Sequence, residues 1–590
     1  MFSGKFTDHN TLLSYSSQNY TTSQDRDLII HFWGTLYNQQ TLGFKNTDSN
    51  ATVVHKLFLK QGITYFNELD GAFTFIIFLS KQTIIVRDHH GCGSQVYYNQ
   101  HDFASSLILL QEITSYSNSA NTEALSAFLM FGYIPSPLCA LRNTYKLGAG
   151  EILVHENNTN ITKKLFDIDP ISTIVPVEND DLEELSSQYG ELHQNAIRKR
   201  IGDNQNIGIL LSGGYDSGAN LAALRQIYSG KIHSYSIGFK EDSWSELPQA
   251  RCISKFFQTQ HHEYQIDGSE IKALPEIVKF MGDPFVEGGL MVNYCAMRMI
   301  DSSKPSIILG GDGSDQYFGT SGREIAIHAL SAKYGIKNIL KFILILLNHS
   351  VFEYNSKLYR TRFHLDKILN ILQGDQFGFP EYKLKRILQN HHNIFRQSSV
   401  KVNTSNFNSL YTTHLYKTDI EKTINQVILF KASRMAEMFD NTLTFPYMDT
   451  TLYQFLMQLP VKYKCLGNNV KDIAQGHGIS KFLLKYHYKP MLPEAITNRK
   501  KQGGFAPIPI FFKEKKQRKQ LTDYILSSSI TQDFLHREEV EKFLQQYNQE
   551  VQQPEKWFWY HQIKAIQFLN LLTLSIWWEI FIKKNSTFIE

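Results

Sequence analysis

The sequence predicts a two-domain protein, an antiparallel α+β unit followed by a parallel-sheet α/β unit, on three observations. Leu28 to Tyr98 reads as strand, with the β-rich runs LIIHFW, AFTFIIFL and TIIVRD separated by turn-forming polar and glycine residues. Beyond Asp181 strands alternate with helical patterns, the sign of a parallel sheet wound with helices. Two of those strands, IGILL and SIILGG, run directly into glycine-rich turns, and the strand ends of such sheets are where ligands collect. With 590 residues, 42% of them hydrophobic and 13% aromatic, the chain is long enough to bury several cores.

In chain order, the run TEALSAFLMFGY after Asn121 is helical and leads into Pro135–Pro137, and LGAGEILVHE follows as strand–turn–strand. A polar stretch from about His155 to Asp181 is the expected boundary, dividing residues 1–175 from 176–590. DLEELSSQYGELHQNAIRKR is then a helix, IGILL a buried strand, GANLAALRQIY a helix and IHSYSIGF a second strand, and beyond about Ser331 the pattern is mostly helical. Ile339–Leu347 and Phe568–Ile582 read as buried helices. The first has nine residues against the ~20 that span a bilayer, and the second contains Asn570 and Glu579. Trp557, Trp559, Trp577 and Trp578 are expected to pack the C-terminal core.

Composition narrows the function classes. The 60 basic and 56 acidic residues leave a formal charge of +4, weak pressure toward a polyanion, so no nucleic-acid partner is expected, and no membrane partner. Lys513–Lys519 (KEKKQRK) reads as a solvated helix face. Cys92, Cys139, Cys252, Cys295 and Cys465 are odd in number, far apart and without a CxxC pair, which suggests neither a disulfide framework nor a zinc site. With no apolar stretch of signal-peptide length in the first twenty residues, a cytoplasmic location is expected.

The chemistry lies in the two glycine turns. Ser212-Gly213-Gly214-Tyr215-Asp216-Ser217 follows a buried strand and opens a helix, so its N–H groups and the helix N-terminus would converge on an anion as a phosphate cradle. It lacks the GxxxxGK[ST] of a Walker loop and the spaced glycines of a dinucleotide fingerprint. The second turn, Gly310-Gly311-Asp312-Gly313-Ser314-Asp315, carries two carboxylates three residues apart at a strand end. One is suited to hold Mg²⁺ together with Asp216, the other to accept a proton. Magnesium takes one or two carboxylates plus phosphate oxygens, so Asp216 and Asp315 suffice as protein ligands.

SGGYDS resembles the pyrophosphate loop of the ATP pyrophosphatase (adenine nucleotide α-hydrolase-like) superfamily. Together with GGDGSDQYFG, LDGAFTF, RDHHGCGSQVYY, FGYIPSP, SIGF, MGDPF, ASRMAEMFDNTLTFPYMD and LPEAITNRKKQGGFAPI, it makes the chain similar almost end to end to the asparagine synthetase family. The resemblance implies an N-terminal glutaminase-type (Ntn) αββα sandwich and a C-terminal synthetase domain that adenylates a carboxylate and lets an amine displace AMP, with ATP and Mg²⁺ as cofactors. It implies that Leu210, Ile237 and Gly238 frame adenine and ribose, that Ser212, Gly213, Gly214, Asp216 and Ser217 hold the phosphates, and that Gly310 and Gly311 approach the nucleotide by backbone. Asp283, in GDPF, would orient substrate or nucleotide. Lys501, or Lys500 if the extra glycine shifts the register, resembles the lysine that neutralises charge on the transferring phosphorus.

The departures from the family are informative. Its glutaminases use an N-terminal cysteine nucleophile where this sequence has Phe2, and their YNGEIYN segment stands here as His31-Phe32-Trp33-Gly34-Thr35-Leu36-Tyr37-Asn38. Phe2 supplies no thiolate, so glutamine hydrolysis is expected to be absent and Asp70, in LDG, to be a structural turn residue. Homologues of this kind include β-lactam synthetases and lasso peptide cyclases, which close a ring onto an amine in the same molecule, a step that tethering favours. β-Lactam synthetases carry a tyrosine at the position of Asp312, so the reading favoured here is macrolactam closure of a precursor peptide, for whose α-amine a carboxylate base such as Asp312, or solvent, suffices. A leader-peptide-binding protein and a protease are then the expected partners. The alternatives are ammonia-dependent amidation of a small acid and β-lactam-type closure, and the sequence does not speak to oligomeric state.

Overall fold

The computed structural model describes residues 1–6, 12–15, 19–45, 47–114, 119–165, 181–240, 245–300, 305–348, 356–374, 376–389, 393–396, 402–498, 506–551 and 557–585. Period-two alternation builds the N-terminal unit. In the strand Gly71–Phe78, Phe73, Phe75 and Ile77 face one side, against Ala51, Val53, Val54 and Leu57 of the helix Asn50–Gln61. Ile76 and Phe78 face the other, against Phe2, Phe6, Trp33 and Phe103. The strand belongs to a six-stranded antiparallel sheet ordered Thr159–Lys164, Glu151–Glu156, Gln82–Arg87, Gly71–Phe78, Leu28–Leu36, Tyr20–Asp25. A second antiparallel sheet, Leu12–Tyr15, Phe2–Lys5, Asp102–Ala104, Tyr97–Tyr98 and Tyr145–Lys146, stacks on it and is backed by the helix Leu107–Ile113. The layers are αββα, as expected.

The polar stretch that reads as a linker begins as structure. Glu151–Glu156 and Thr159–Lys164 are a hairpin turned by Asn157 and Asn158, both at positive φ (50° and 59°), which asparagine tolerates better than most residues. Asparagines at the turn made a strand pair look like a boundary. Residue 175 lies outside the described residues.

The C-terminal unit centres on a parallel sheet ordered Gln260–Ile266, Ile232–Phe239, Ile207–Leu210, Ile307–Leu309, Leu443–Thr444. Its strand order reverses between Ile207–Leu210 and Ile307–Leu309, and the two glycine turns leave the sheet there, side by side. The helices Leu182–Ile201, Tyr215–Ile227 and Phe482–Tyr488 cover one face, and Leu290–Met299 and Leu429–Met438 the other.

The two units share one core. Leu125, Phe128 and Leu129 of the helix Thr122–Phe131 sit in one apolar cluster with Leu571, Leu572 and Trp577 of the helix Phe558–Phe581. That C-terminal helix is buried as expected, and three of its polar side chains bond to neighbouring elements: Asn570 donates to Leu129 O (3.4 Å), Gln567 to Gly378 O (2.9 Å), and Glu579 accepts from the Ser528 hydroxyl (2.9 Å). Trp577 and Trp578 are core residues, whereas Trp557 and Trp559 are half-buried against Phe363. One expectation fails. The helix Lys337–Leu347 is not buried, because Leu344 and Leu347 alone turn fully inward while Ile339, Phe342, Ile345 and Leu346 are more than half exposed.

A charged cluster also pins the units together. Arg200, 4% exposed, reaches Asp449 (3.2 Å) in its own unit and Asp70 (3.9 Å) in the other, stacks over the Tyr37 ring (4.6 Å), and is joined by Lys199, 2.9 Å from Asp449. Asp70 accepts from the Thr450 hydroxyl (3.1 Å), so LDG is a docking element as well as a turn. Burial would raise both carboxyls. At Asp449 the Arg200 and Lys199 charges overcome it and hold the carboxyl at about 2, while Asp70, farther from both cations and facing Asp449, is pushed up to about 6.

Asp449→Ala leaves Arg200 buried without its near partner and uncaps the helix Thr450–Gln458, an expected loss of about 3–5 kcal/mol in urea denaturation at neutral pH. A loss below about 1 kcal/mol contradicts the assignment. Asp70 has a folded pKa above its unfolded value near 4, so the folded state takes up its proton first and its contribution to stability grows as pH falls from about 7 to 4. Asp70→Asn should flatten that part of the stability profile.

Candidate functional site

The helix Tyr215–Ile227 starts at Gly214, directly after the strand Ile207–Leu210, so its unsatisfied N–H groups point out of the sheet end. Gly213 has φ +78°, and a Cβ there would lie 2.7 Å from Glu246 O. The turn is cross-braced by hydroxyls: Ser212 and Ser217 Oγ lie 3.1 Å apart, Ser212 N donates to Ser217 Oγ (3.2 Å), and Gly214 N to Ser212 Oγ (3.3 Å). This is a preformed anion cradle with two hydroxyl donors.

The second turn abuts the first. A Cβ on Gly311 would lie 3.5 Å from Ser217 Cβ, and Ser314 donates to Asp216 Oδ1 (2.7 Å). Asp216 and Asp315 therefore flank one space, and it holds a cation: the Lys481 ammonium, 2.7 Å from both Asp216 oxygens and 2.5 Å from Asp315 Oδ1. Lys481 is 2% exposed and takes φ +53° at the start of the helix Phe482–Tyr488. Burial alone would depress the ammonium, but the two carboxylates outweigh it and raise its pKa above the usual lysine value. The ammonium stands in for a cation, so the pair Asp216 and Asp315 has the donor set that a hard divalent ion takes.

Sequence reasoning missed Lys481. It is a lone lysine in HGISKFLL, outside both glycine turns, and only its left-handed backbone aims it into the site.

The other sequence-derived residues divide. Leu210, Ile237 and Gly238 lie at the ends of adjacent strands beside the cradle, Leu210 and Ile237 half-exposed. At Gly238 a Cβ would meet Leu247 Cδ1 at 2.4 Å, and at Gly310 it would meet Phe445 at 2.8 Å, so packing against protein already demands both glycines. Asp312 lies at the mouth of the turn beside the ion pair Lys431–Glu287 (2.5 Å). Burial, helped by Glu287, Asp315 and Asp216 against the opposing Lys431, pushes its carboxyl up to about 6. Asp283 is drawn elsewhere. It is 2% exposed, paired with Lys146 (2.6 Å) and accepting from Ala140 N (2.9 Å) in the seam between units, and so is a docking residue rather than one facing the cradle. Lys500 and Lys501 lie outside the described residues.

The N-terminal unit braces this site. Asp88 of RDHHG accepts from the N–H groups of His90, Cys92 and Gly93, and the loop so fixed presents His90 Nε2 to the Tyr317 hydroxyl (2.8 Å) in the short helix that bears Asp315. His89-His90 and His261-His262 are held in structural contacts: His90 bonds Tyr317, His89 packs on Tyr453, His261 bonds Ser234 and Glu263, and His262 bonds His233. No group of three or more His, Cys, Asp or Glu side chains able to hold a metal occurs among the described residues. Between the two sheets of the N-terminal unit, Phe2 is fully buried with its ring 4.3 Å from that of Trp33.

Comparison with known proteins places these features. The family model for asparagine synthase matches residues 188–579, and that for a glutamine amidotransferase domain matches residues 12–166. The putative asparagine synthetase [glutamine-hydrolyzing] 2 of Methanocaldococcus jannaschii is 29% identical over 313 residues, covering 50% of this chain and 59% of that protein. The asparagine synthetase [glutamine-hydrolyzing] 1 of Bacillus subtilis is 22% identical over 591 aligned positions, 95% of this chain and 87% of its own length. The chain thus spans about three fifths of the first relative and most of the second. Among solved structures, an NMN synthetase from Francisella tularensis aligns at 14% identity and TM-score 0.19 over 24% of this chain and 59% of its own, too slight a likeness to carry an argument.

Lys481→Met should remove the competing ammonium and tighten Mn²⁺ binding to the nucleotide-free protein, read by electron paramagnetic resonance. Unchanged Mn²⁺ affinity contradicts a shared cation site.

Proposed function

The chain belongs to the asparagine synthase family, and from that premise we propose that it is an ATP-dependent, AMP-forming amide ligase whose amine comes from its own substrate rather than from glutamine. The observation that carries the reading is the pairing of an intact cradle, Ser212 to Ser217 with Asp216 and Asp315, with an aromatic plug at Phe2 and Trp33. One half keeps the groups that handle phosphate and cation. The other has lost the groups that release ammonia.

The proposed reaction runs in two steps. A carboxylate oxygen attacks the α-phosphorus of ATP, giving acyl-AMP and pyrophosphate; an amine nitrogen then attacks the acyl carbon, giving the amide, AMP and a proton. The Ser212 and Ser217 hydroxyls and the N–H groups at Gly214 bind phosphate oxygens, and Asp216 and Asp315 would hold Mg²⁺, which supplies charge neutralisation at the phosphates. Lys481, seated between the same carboxylates, would be a donor to those phosphates. Asp312, its carboxyl raised toward the amine's own range, accepts the proton at Oδ. Lys500 and Lys501 remain candidates for the cation beside the departing pyrophosphate.

Within this class we favour intramolecular macrolactam closure of a precursor peptide, as the resemblance to lasso peptide cyclases implies. Asp312 in place of tyrosine suits an α-amine, which needs no strong base, and tethering supplies effective molarities of about 10⁵ M or more. The experiment is mass spectrometry of incubations with ATP and Mg²⁺. A leader-cleaved peptide carrying an Asp or Glu side chain should lose one water with release of AMP and pyrophosphate, and glutamine should yield no glutamate. AMP release with aspartate and ammonium but with no peptide would favour small-acid amidation instead, and glutamate release would overturn the reading.

A further inference from the structure

The helix Lys337–Leu347 is apolar except for Lys337, Asn338 and Lys341, which fall on one side of it. Leu344 and Leu347, with Leu340 half-buried, pack inward against the helices Gly322–Lys333 and Ser356–Leu369. Ile339, Phe342, Ile343 and Leu346 fall at i, i+3, i+4 and i+7 and form an outward stripe, widened by Ile336 and Ile345. These six are 37% to 68% exposed, so they form one contiguous apolar face where soluble surfaces scatter such residues singly.

Charge identifies what covers it. From Ile325 to Leu369 the sequence carries seven basic residues, Lys333, Lys337, Lys341, Lys357, Arg360, Arg362 and Lys367, against Glu353 and Asp366. This segment has an excess of five positive charges, although the whole chain has a formal charge of only +4. Lys333 and Lys341, beside and within the helix, are exposed, as are Lys357 and Arg360 of the helix packed against it, Arg360 lying over the Trp557 ring (5.4 Å). A second copy seated on the same face by two-fold symmetry would bring lysine against lysine. No helix among the described residues is long and apolar enough to cross a membrane, and this one, of 11 residues at 1.5 Å each, is about 16 Å long. An anionic lipid surface offers both required chemistries in one plane, acyl chains for the stripe and headgroup charge for the rim.

We propose that the helix Lys337–Leu347 is a membrane-surface anchor, which lies in the plane of an anionic bilayer with Ile339, Phe342, Ile345 and Leu346 below the headgroups and Lys333 and Lys341 at their level. This surface contact departs from the sequence expectation of no membrane partner. The anchor is independent of the proposed ligase activity, since none of these residues belongs to the cradle.

The test is flotation of the full chain with phosphatidylcholine vesicles and with vesicles containing phosphatidylglycerol, alongside size-exclusion chromatography with light scattering. The wild type should float with the anionic vesicles, at least about tenfold more than with neutral ones, and lose this in high salt. Phe342→Asp with Leu346→Asp, and separately Lys333→Glu with Lys341→Glu, should each abolish flotation without changing elution volume or circular dichroism. Failure of the wild type to float overturns the proposal, as does flotation of the Phe342→Asp, Leu346→Asp variant. So does a wild-type dimer that this variant converts to a monomer, which would assign the face to a second copy.

Discussion

The site depends on one ammonium held between two carboxylates. Asp216 opens a helix from one parallel strand and Asp315 opens a short helix from its neighbour, and without a cation between them the two acids would repel each other across the turn. Lys481 removes that repulsion from a third element, far along the chain. Two strand ends, two glycine turns and a left-handed lysine are thereby held in one geometry before any ligand arrives. Such a clamp suits a site that exchanges an internal cation for an external one together with phosphate, because the carboxylates never face solvent unpaired.

The same logic explains the N-terminal unit, in which Phe2 and Trp33 pack together between the sheets. Its surviving motifs point at the synthetase unit rather than inward. RDHHG delivers His90 to Tyr317, LDG delivers Asp70 to Arg200 and Thr450, Tyr37 bonds Thr444 at the end of the edge strand, and Gly132 O accepts from Val286 N in the loop that bears Glu287. The unit behaves as a template against which the second turn and the Glu287 loop are shaped.

Much of this was legible in the chain. The sheet types followed from β-rich runs against strand–helix alternation, and the cradle from SGGYDS after a buried strand. What was not legible depended on tertiary placement. Lys481 has no local signature, because its role comes from backbone handedness and a distant partner pair. Asp283 lies in a motif-like GDPF yet is claimed by Lys146 from the other unit. Asn157 and Asn158 are turn residues that composition cannot tell from linker residues. The helix Lys337–Leu347 is hydrophobic enough to read as core, and only the position of its neighbours shows that most of its surface faces outward.

The central claim is that the two adjacent turns form a nucleotide-phosphate and divalent-cation site governed by Asp216 and Asp315. Calorimetric titration with α,β-methylene-ATP tests it most directly. The account requires binding to the wild type that depends on Mg²⁺ and vanishes when Asp216→Asn and Asp315→Asn are combined. Binding of equal strength in the double variant, or in the absence of any divalent ion, would contradict it.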